Sequence, residues 1–207
     1  MINLEELIKN SKKANDWDLG NQVLYNLCED NFKHEKPNEI IAKIWLIGRA
    51  YSASIERRKE VKIGEDFWKD NVVPKIEQSD IDVWLNNRDN SDDINVFMET
   101  HKNVTKLFKD ITGLDKRSLA SKYLHFHLPN KFYIYDSIAS RSIKFLQKEK
   151  IEIKTDANWD DEYSKFYQNC DYLKNKLQNK FEINLSCREL DNLLTSREIT
   201  KAIANKQ

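Results

Sequence analysis

The 207 residues carry 34 Lys and Arg against 34 Asp and Glu, a formal net charge of zero, so the chain as a whole has no general attraction for a polyanion. Apolar residues at 40% suffice for one substantial core, and neither a run of eighteen apolar residues nor a secretory leader is legible, which excludes a helical membrane span and predicts a cytoplasmic protein. With four Gly, three Pro and three widely spaced Cys that form no Cys-x-x-Cys clamp, the composition predicts an all-α chain, one domain over residues 1–207, with reduced thiols and no metal site.

In chain order, Leu19, Val23, Leu24 and Leu27 recur at helical spacing and predict a short amphipathic helix. Asn38, following Pro37, is placed to cap a long helix whose inward positions would be Ile41, Ile44, Trp45, Gly48, Ser52 and Ile55. Gly48 in mid-helix costs about 1 kcal/mol relative to Ala, which points to another backbone approaching closely. Its neighbour Arg49 is expected to be buried, against a structural carboxylate or in a ligand pocket. Phe67, Trp68 and Val72 open a helix that Pro74 would end or kink, and the polar stretch 86–93 reads as an exposed loop. Val96, Phe97, Val104, Leu107, Phe108 and Ile111 form a stripe stopped near Gly113. Residues 151–153 alternate briefly, as a short strand without a partner would. Tyr163, Phe166, Tyr167, Cys170, Leu173 and Leu177 mark a late helix, and Leu190, Leu193 and Leu194 follow a Ser186 cap.

Charge is not evenly spread. Residues 101–150 hold eleven bases against four acids, a local excess of +7 that marks either a solvated helix face or a phosphate-facing surface. Within this stretch the pattern reads as a helix end, a tight turn at Gly113, a helix over about 118–127, a loop at Pro129 and a new helix capped by Asp136. Gly113 can take positive φ, and the helix start beyond it presents N–H groups that suit an anion, with Lys116, Arg117 and Lys122 adding charge. An ordinary corner between two helices would look the same. A carboxylate at the Asp136 position accepts backbone N–H bonds, and a carboxylate so fixed can stabilise a sugar cation or orient a water. Tyr133 and Tyr135, just before it, offer faces on which a base could stack. His125 and His127 lie about 200° apart around a helix, so they cannot share a metal ion; His125 is either a proton carrier or a satisfied core histidine.

At these residues the chain resembles the helix-hairpin-helix DNA glycosylase superfamily, in particular bacterial proteins described as having an 8-oxoguanine-glycosylase-like fold. The resemblance covers roughly residues 95–150, where Ile111-Thr112-Gly113-Leu114 is similar to the start of the family's phosphate-gripping turn and Asp136 falls near its essential Asp. It implies a DNA-binding protein that excises a modified base in repair or defence, with Asp136 supporting a sugar cation and Lys122 contacting phosphate or attacking the sugar carbon. By the same resemblance, Gly113, Lys116 and Arg117 would grip DNA, Tyr133 or Tyr135 would stack on the base, and no cofactor is implied. Asp115 stands where the second turn Gly is expected and Arg117 where lyase-active members place Lys, so Lys122 is the Lys the pattern favours. The shared blocks extend to Ile-Gly-Arg-Ala-Tyr at 47–51 and to Arg188 with Asp191, which at that spacing could form a simple surface ion pair. Two other classes stay open: a non-enzymatic helical scaffold for DNA or a protein partner, and a small-molecule binder using Arg49 and a buried aromatic pocket.

Overall fold

The computed structural model describes residues 3–86 and 93–205. Among the described residues the chain is all-α, 65% helical and without strands, as composition predicts. The helices are α1 (Leu4–Ser11), α2 (Asp18–Asp30), α3 (Pro37–Ala50), α4 (Val73–Glu77), α5 (Ile81–Asn86), α6 (Ile94–Thr112), α7 (Arg117–His127), α8 (Ser137–Leu146), α9 (Asp161–Phe181), α10 (Cys187–Leu194) and α11 (Arg197–Ala204). None of the described helices is long and apolar enough to cross a membrane.

Local signals set most boundaries. Gly113 closes α6 with φ 69°, and Ser186 opens α10 through a capping box with Glu189. α3 departs from expectation at both ends. It starts two residues earlier than an Asn38 cap would place it, because Pro37 takes the first helical position, where its fixed φ fits and its missing N–H costs nothing. It stops at Ala50, although the apolar pattern runs on to Ile55. Ser52 adopts φ 51°, the Ala53 N–H reaches back to the Gly48 carbonyl at 2.8 Å and the Ser52 N–H to the Arg49 carbonyl at 3.4 Å: a Schellman turn with Ser at the left-handed position. The close approach expected at Gly48 is this returning chain, which would put a Cβ 3.4 Å from the Ser54 Cα. Ile55 is fully buried after the turn, so its side chain joins the core without belonging to the helix.

Pro74 is accommodated rather than terminating. A π-helical turn over Trp68–Val72 precedes α4, so the change of pitch falls where the proline withholds its N–H. Leu19, Val23 and Trp45, counted inward by spacing, are 80%, 55% and 44% exposed. The stretch at 151–153 forms no strand; the chain is fastened to α9 just beyond it, where Gln168 donates to the Lys154 carbonyl and accepts from the Lys154 N–H, both at 2.9 Å. Most of the loop expected at 86–93 lies outside the described residues, with Asn86 ending α5 and Asp93 capping α6.

The helices gather in two groups. α7 is packed by α2, α3 and α6, while α8 is packed by α9, α10 and α11, with α1 laid on α10. In α7 every residue from 119 to 127 is buried. A helix covered on all sides is ordinarily apolar, yet this one carries Ser121, Lys122, His125 and His127.

All four histidines are buried, and burial holds each neutral. The His34 imidazole is lowered to about 4, and those of His101 and His125 to about 3, by desolvation first; His127 is lowered in the same direction by burial, with Lys43 and His34 adding to it. The unfolded chain takes up these protons below about 6.5 and the folded chain does not, so stability is complete above that pH and is lost as pH falls. The loss at pH 5 is about 2 kcal/mol per histidine. Asp191, held up at about 6, opposes the trend by gaining a proton in the folded state, but by less than one histidine's share. The melting temperature is therefore expected to fall steeply between pH 7 and pH 5 in thermal scans by circular dichroism. His101→Phe, which keeps the stack of residue 101 on Tyr163, is expected to flatten that slope; a stability independent of pH over this range would contradict the neutral-histidine core.

Candidate functional site

The two helix groups meet at Lys122 and Asp136. Asp136 is the N-cap of α8, and its Oδ1 accepts from the Ile138 and Ala139 N–H groups at 2.9 Å each. Its Oδ2 is left to face Lys122 Nζ at 3.5 Å. Lys122, on the buried helix α7, is 1% exposed and donates to Ser118 Oγ at 2.8 Å and to the Tyr135 carbonyl at 3.3 Å. Burial pulls the Lys122 amine below the ordinary lysine range, while the Asp136 charge works against it. The Asp136 side chain is 30% exposed, so the pair is reached from solvent on the carboxylate side.

Behind this pair lies a directed chain of hydrogen bonds. His125 Nδ1 donates to the Phe132 carbonyl at 2.8 Å, which leaves Nε2 to accept from the Tyr25 hydroxyl at 2.7 Å. The Tyr25 oxygen accepts from Arg188 Nε at 3.1 Å, and Arg188 Nη1 donates to Asp191 Oδ2 at 3.0 Å. The guanidinium carbon lies 5.5 Å from the ring centres of Tyr51 and Phe126 and 5.9 Å from that of Tyr25, an aromatic lining that suits a delocalised cation. Asp191 is pushed up to about 6, by burial first; Arg188 and Lys122 oppose this, and Asp136 adds to it. Arg188 Nη2 and Asp191 Oδ1 are buried without a hydrogen-bond partner.

The sequence-predicted residues fall into different places. Lys122 and Asp136 come together at 3.5 Å. His125 belongs to the supporting chain, with both ring nitrogens engaged. Arg49 does not enter the interior: its side chain is 59% exposed and pairs with Glu56 at 2.6 Å, because α3 ends just beyond it and turns its last residues outward. The Arg188 and Asp191 pair is the reverse correction, with side chains 16% and 9% exposed rather than at the surface. Lys116 is buried and donates to the Ser54 carbonyl at 2.8 Å, and Arg117 Nε bridges both Asp160 oxygens at 2.7 and 2.8 Å. At Gly113 a Cβ would lie 3.1 Å from Lys59, whose N–H binds the Thr112 carbonyl, so the turn is roofed by a neighbouring strand of chain. Tyr135 contributes its carbonyl to Lys122, while its ring packs edge-on to Tyr163 and Phe166. Tyr133 turns toward α9, its hydroxyl donating to Asp171 at 3.3 Å.

Sequence reasoning missed Tyr25, Tyr51 and the burial of Arg188 and Asp191. One signal existed: the three blocks at 47–51, at Lys122 to Asp136 and at Arg188 to Asp191 converge on this one place, through Tyr51, Lys122 and Arg188. The chain matches no protein-family model, no curated protein and no solved structure.

Removing one member of a buried ion pair leaves the other uncompensated, at about 3–5 kcal/mol. Arg188→Met is expected to lower stability by that order in urea denaturation, and the double variant Arg188→Met with Asp191→Leu to recover most of the loss. A double variant no more stable than the single one would show that the pair is not what holds α10 to the site.

Proposed function

We propose that the Lys122–Asp136 pair acts on the anomeric carbon of a nucleic-acid sugar, releasing a base from DNA. The observation that supports this reading best is an amine of lowered basicity 3.5 Å from a carboxylate that a helix N-terminus holds in place, open to solvent on the carboxylate side. The resemblance of residues 95–150 to helix-hairpin-helix glycosylases points the same way. As the glycosidic bond breaks, its electron pair leaves with the base, and the cation developing at C1′ is stabilised by Asp136. The Lys122 lone pair forms the new C1′–N bond, and the proton released from that nitrogen passes to the departed base. A lowered amine basicity matters here, since only the uncharged amine is a nucleophile.

A second reading, a helical scaffold without chemistry, is favoured by the internal partners of Lys116 and Arg117, which leave fewer cations for phosphate. The two readings part on covalent trapping. Single-stranded and duplex DNA carrying an abasic site or an oxidised base, incubated with the protein and borohydride, is expected to yield a reduced protein–DNA adduct. Lys122→Met should abolish the adduct. Asp136→Asn, which caps a helix about as well as Asp but withdraws the charge that buried Lys122 faces, should cut its rate at least a hundredfold and lower stability while sparing DNA binding. The trapping rate should rise with pH and level off below the ordinary lysine range. An adduct that survives Lys122→Met, or DNA binding with no adduct on any substrate, would leave the scaffold reading standing.

A further inference from the structure

Of the nine large apolar side chains exposed among the described residues, five lie in two places, the turn that follows α3 and the outer side of α2. Single exposed residues need no explanation, but groups of them mark contact surfaces. In the turn, Val61 is 73% exposed and Ile63 fully so, on either side of Lys62, and Arg57 and Lys59 are exposed just before them. The base of the turn is fastened. Arg58, its side chain 14% exposed, pairs with Glu65 at 3.4 Å and lays its guanidinium 4.0 Å from the centre of the Phe67 ring. The Lys62 N–H donates to Glu65 Oε2 at 3.3 Å, Gly64 takes φ 79°, and the Lys59 N–H is held by the Thr112 carbonyl at 2.9 Å. Because Arg58 and Glu65 neutralise each other, Arg57, Lys59 and Lys62 outnumber Glu60 at the surface. The tip is a preformed apolar projection flanked by cations, and docking it costs little ordering entropy.

The second surface carries the opposite charge. Leu19, Val23, Asn26 and Asp30 recur at fours and threes along the outer side of α2, all of them exposed, and Trp17, 79% exposed, stands just before the first turn. From residue 14 to residue 30 the chain holds Asp16, Asp18, Glu29 and Asp30 and no Lys or Arg. The two lysines that precede this stretch are drawn away from it, Lys12 to Glu189 and the Asn184 carbonyl and Lys13 to Asn10.

An apolar projection among cations and an apolar stripe among carboxylates complement each other, and neither complements itself. With a net charge of zero, one copy of the chain does not repel another. We infer that the turn at 57–65 docks on the outer stripe of α2 in a second copy of this chain. Val61 and Ile63 meet Trp17, Leu19 and Val23, while the basic side chains of the turn face the acids of α2. Each contact joins unlike surfaces, so two copies close it by reciprocal exchange and otherwise copies add one after another. One turn laid on one helix covers less than the roughly 1,200 Å² at which standard interfaces begin, so the association is weak and depends on concentration. The contact uses neither Lys122 nor Asp136.

Sedimentation velocity on the whole chain is expected to show a mass that rises over a hundredfold range of concentration and falls as salt is added. Ile63→Ser and Leu19→Ser, both at exposed positions, should keep the parent's melting temperature and each weaken association at least tenfold. Val83→Ser, at an exposed aliphatic on α5, should leave association unchanged. Charge reversal separates specific pairing from general stickiness. Arg57→Glu with Lys62→Glu makes both surfaces acidic, and Asp16→Lys with Asp30→Lys makes both basic, so each double variant should be monomeric alone and the two should associate when mixed. The proposal is overturned if the parent is monomeric throughout, if the mixed variants do not associate, or if Ile63→Ser associates as the parent does. With a monomeric parent, loss of binding to duplex DNA or to anionic phospholipid vesicles in Ile63→Ser identifies nucleic acid or a lipid surface as what the turn meets instead.

Discussion

The structure depends on one helix being buried on every side while carrying polar side chains. α7 has no solvent face over residues 119–127, so each polar group on it has to find a protein partner or carry an unmet desolvation cost. Lys122 finds Ser118, the Tyr135 carbonyl and Asp136; His125 finds the Phe132 carbonyl and Tyr25; His127 Nδ1 finds the Tyr123 carbonyl. The Tyr123 hydroxyl meets His34, which is in turn held by Asp82 at 2.6 Å. These partners come from α2, α5, the loop before α3 and the connection into α8, so satisfying α7 fixes much of the surrounding architecture. What reads as a catalytic pair is one outcome of that requirement.

The same requirement explains why the site is electrostatically unusual. Lys122, Asp136, Arg188 and Asp191 form an alternating set in which each cation faces a carboxylate, and neither carboxylate can relax fully because the other is near. Asp191 carries the larger share of this conflict because burial denies it water, whereas Asp136 has helix N–H groups and solvent. The surrounding rings of Tyr25, Tyr51 and Phe126 exclude water from Arg188 while accommodating its charge, which keeps the attraction between Arg188 and Asp191 strong.

What was legible in the sequence was what local chemistry dictates. Gly113 as a stop, Ser186 and Asp136 as caps, and the stripe along α6 all follow from a few adjacent residues, and each stands where the pattern put it. Periodicity fails where the fold decides. The apolar rhythm through Ile55 is genuine burial, but Ser52 breaks the helix at a position that usually calls for Gly, so the rhythm outlasts the element. Leu19 and Val23 show the converse: correct spacing on a helix whose covered face is carried instead by Leu24 and Cys28. Arg49 and Arg188 exchanged their expected roles, since a basic residue beside apolar neighbours looks the same whether its side chain turns out or in. Lys116 and Arg117 were legible as cations but not as cations already spoken for, because Ser54 and Asp160 lie 62 and 43 residues away along the chain.

Separation along the chain also sets an order of assembly. The bond between Arg188 and Tyr25 joins residues 163 positions apart, and nearby Asn192 donates to the Ser11 carbonyl across 181. Until α10 has been synthesised and has docked against α1, Tyr25 lacks the guanidinium that donates to its oxygen, and Lys122 lacks the second carboxylate near it. A chain emerging from the ribosome therefore has α7 in hand long before α7 has a finished environment. The amine becomes a defined centre only when α10, made about 65 residues later, has docked beside it.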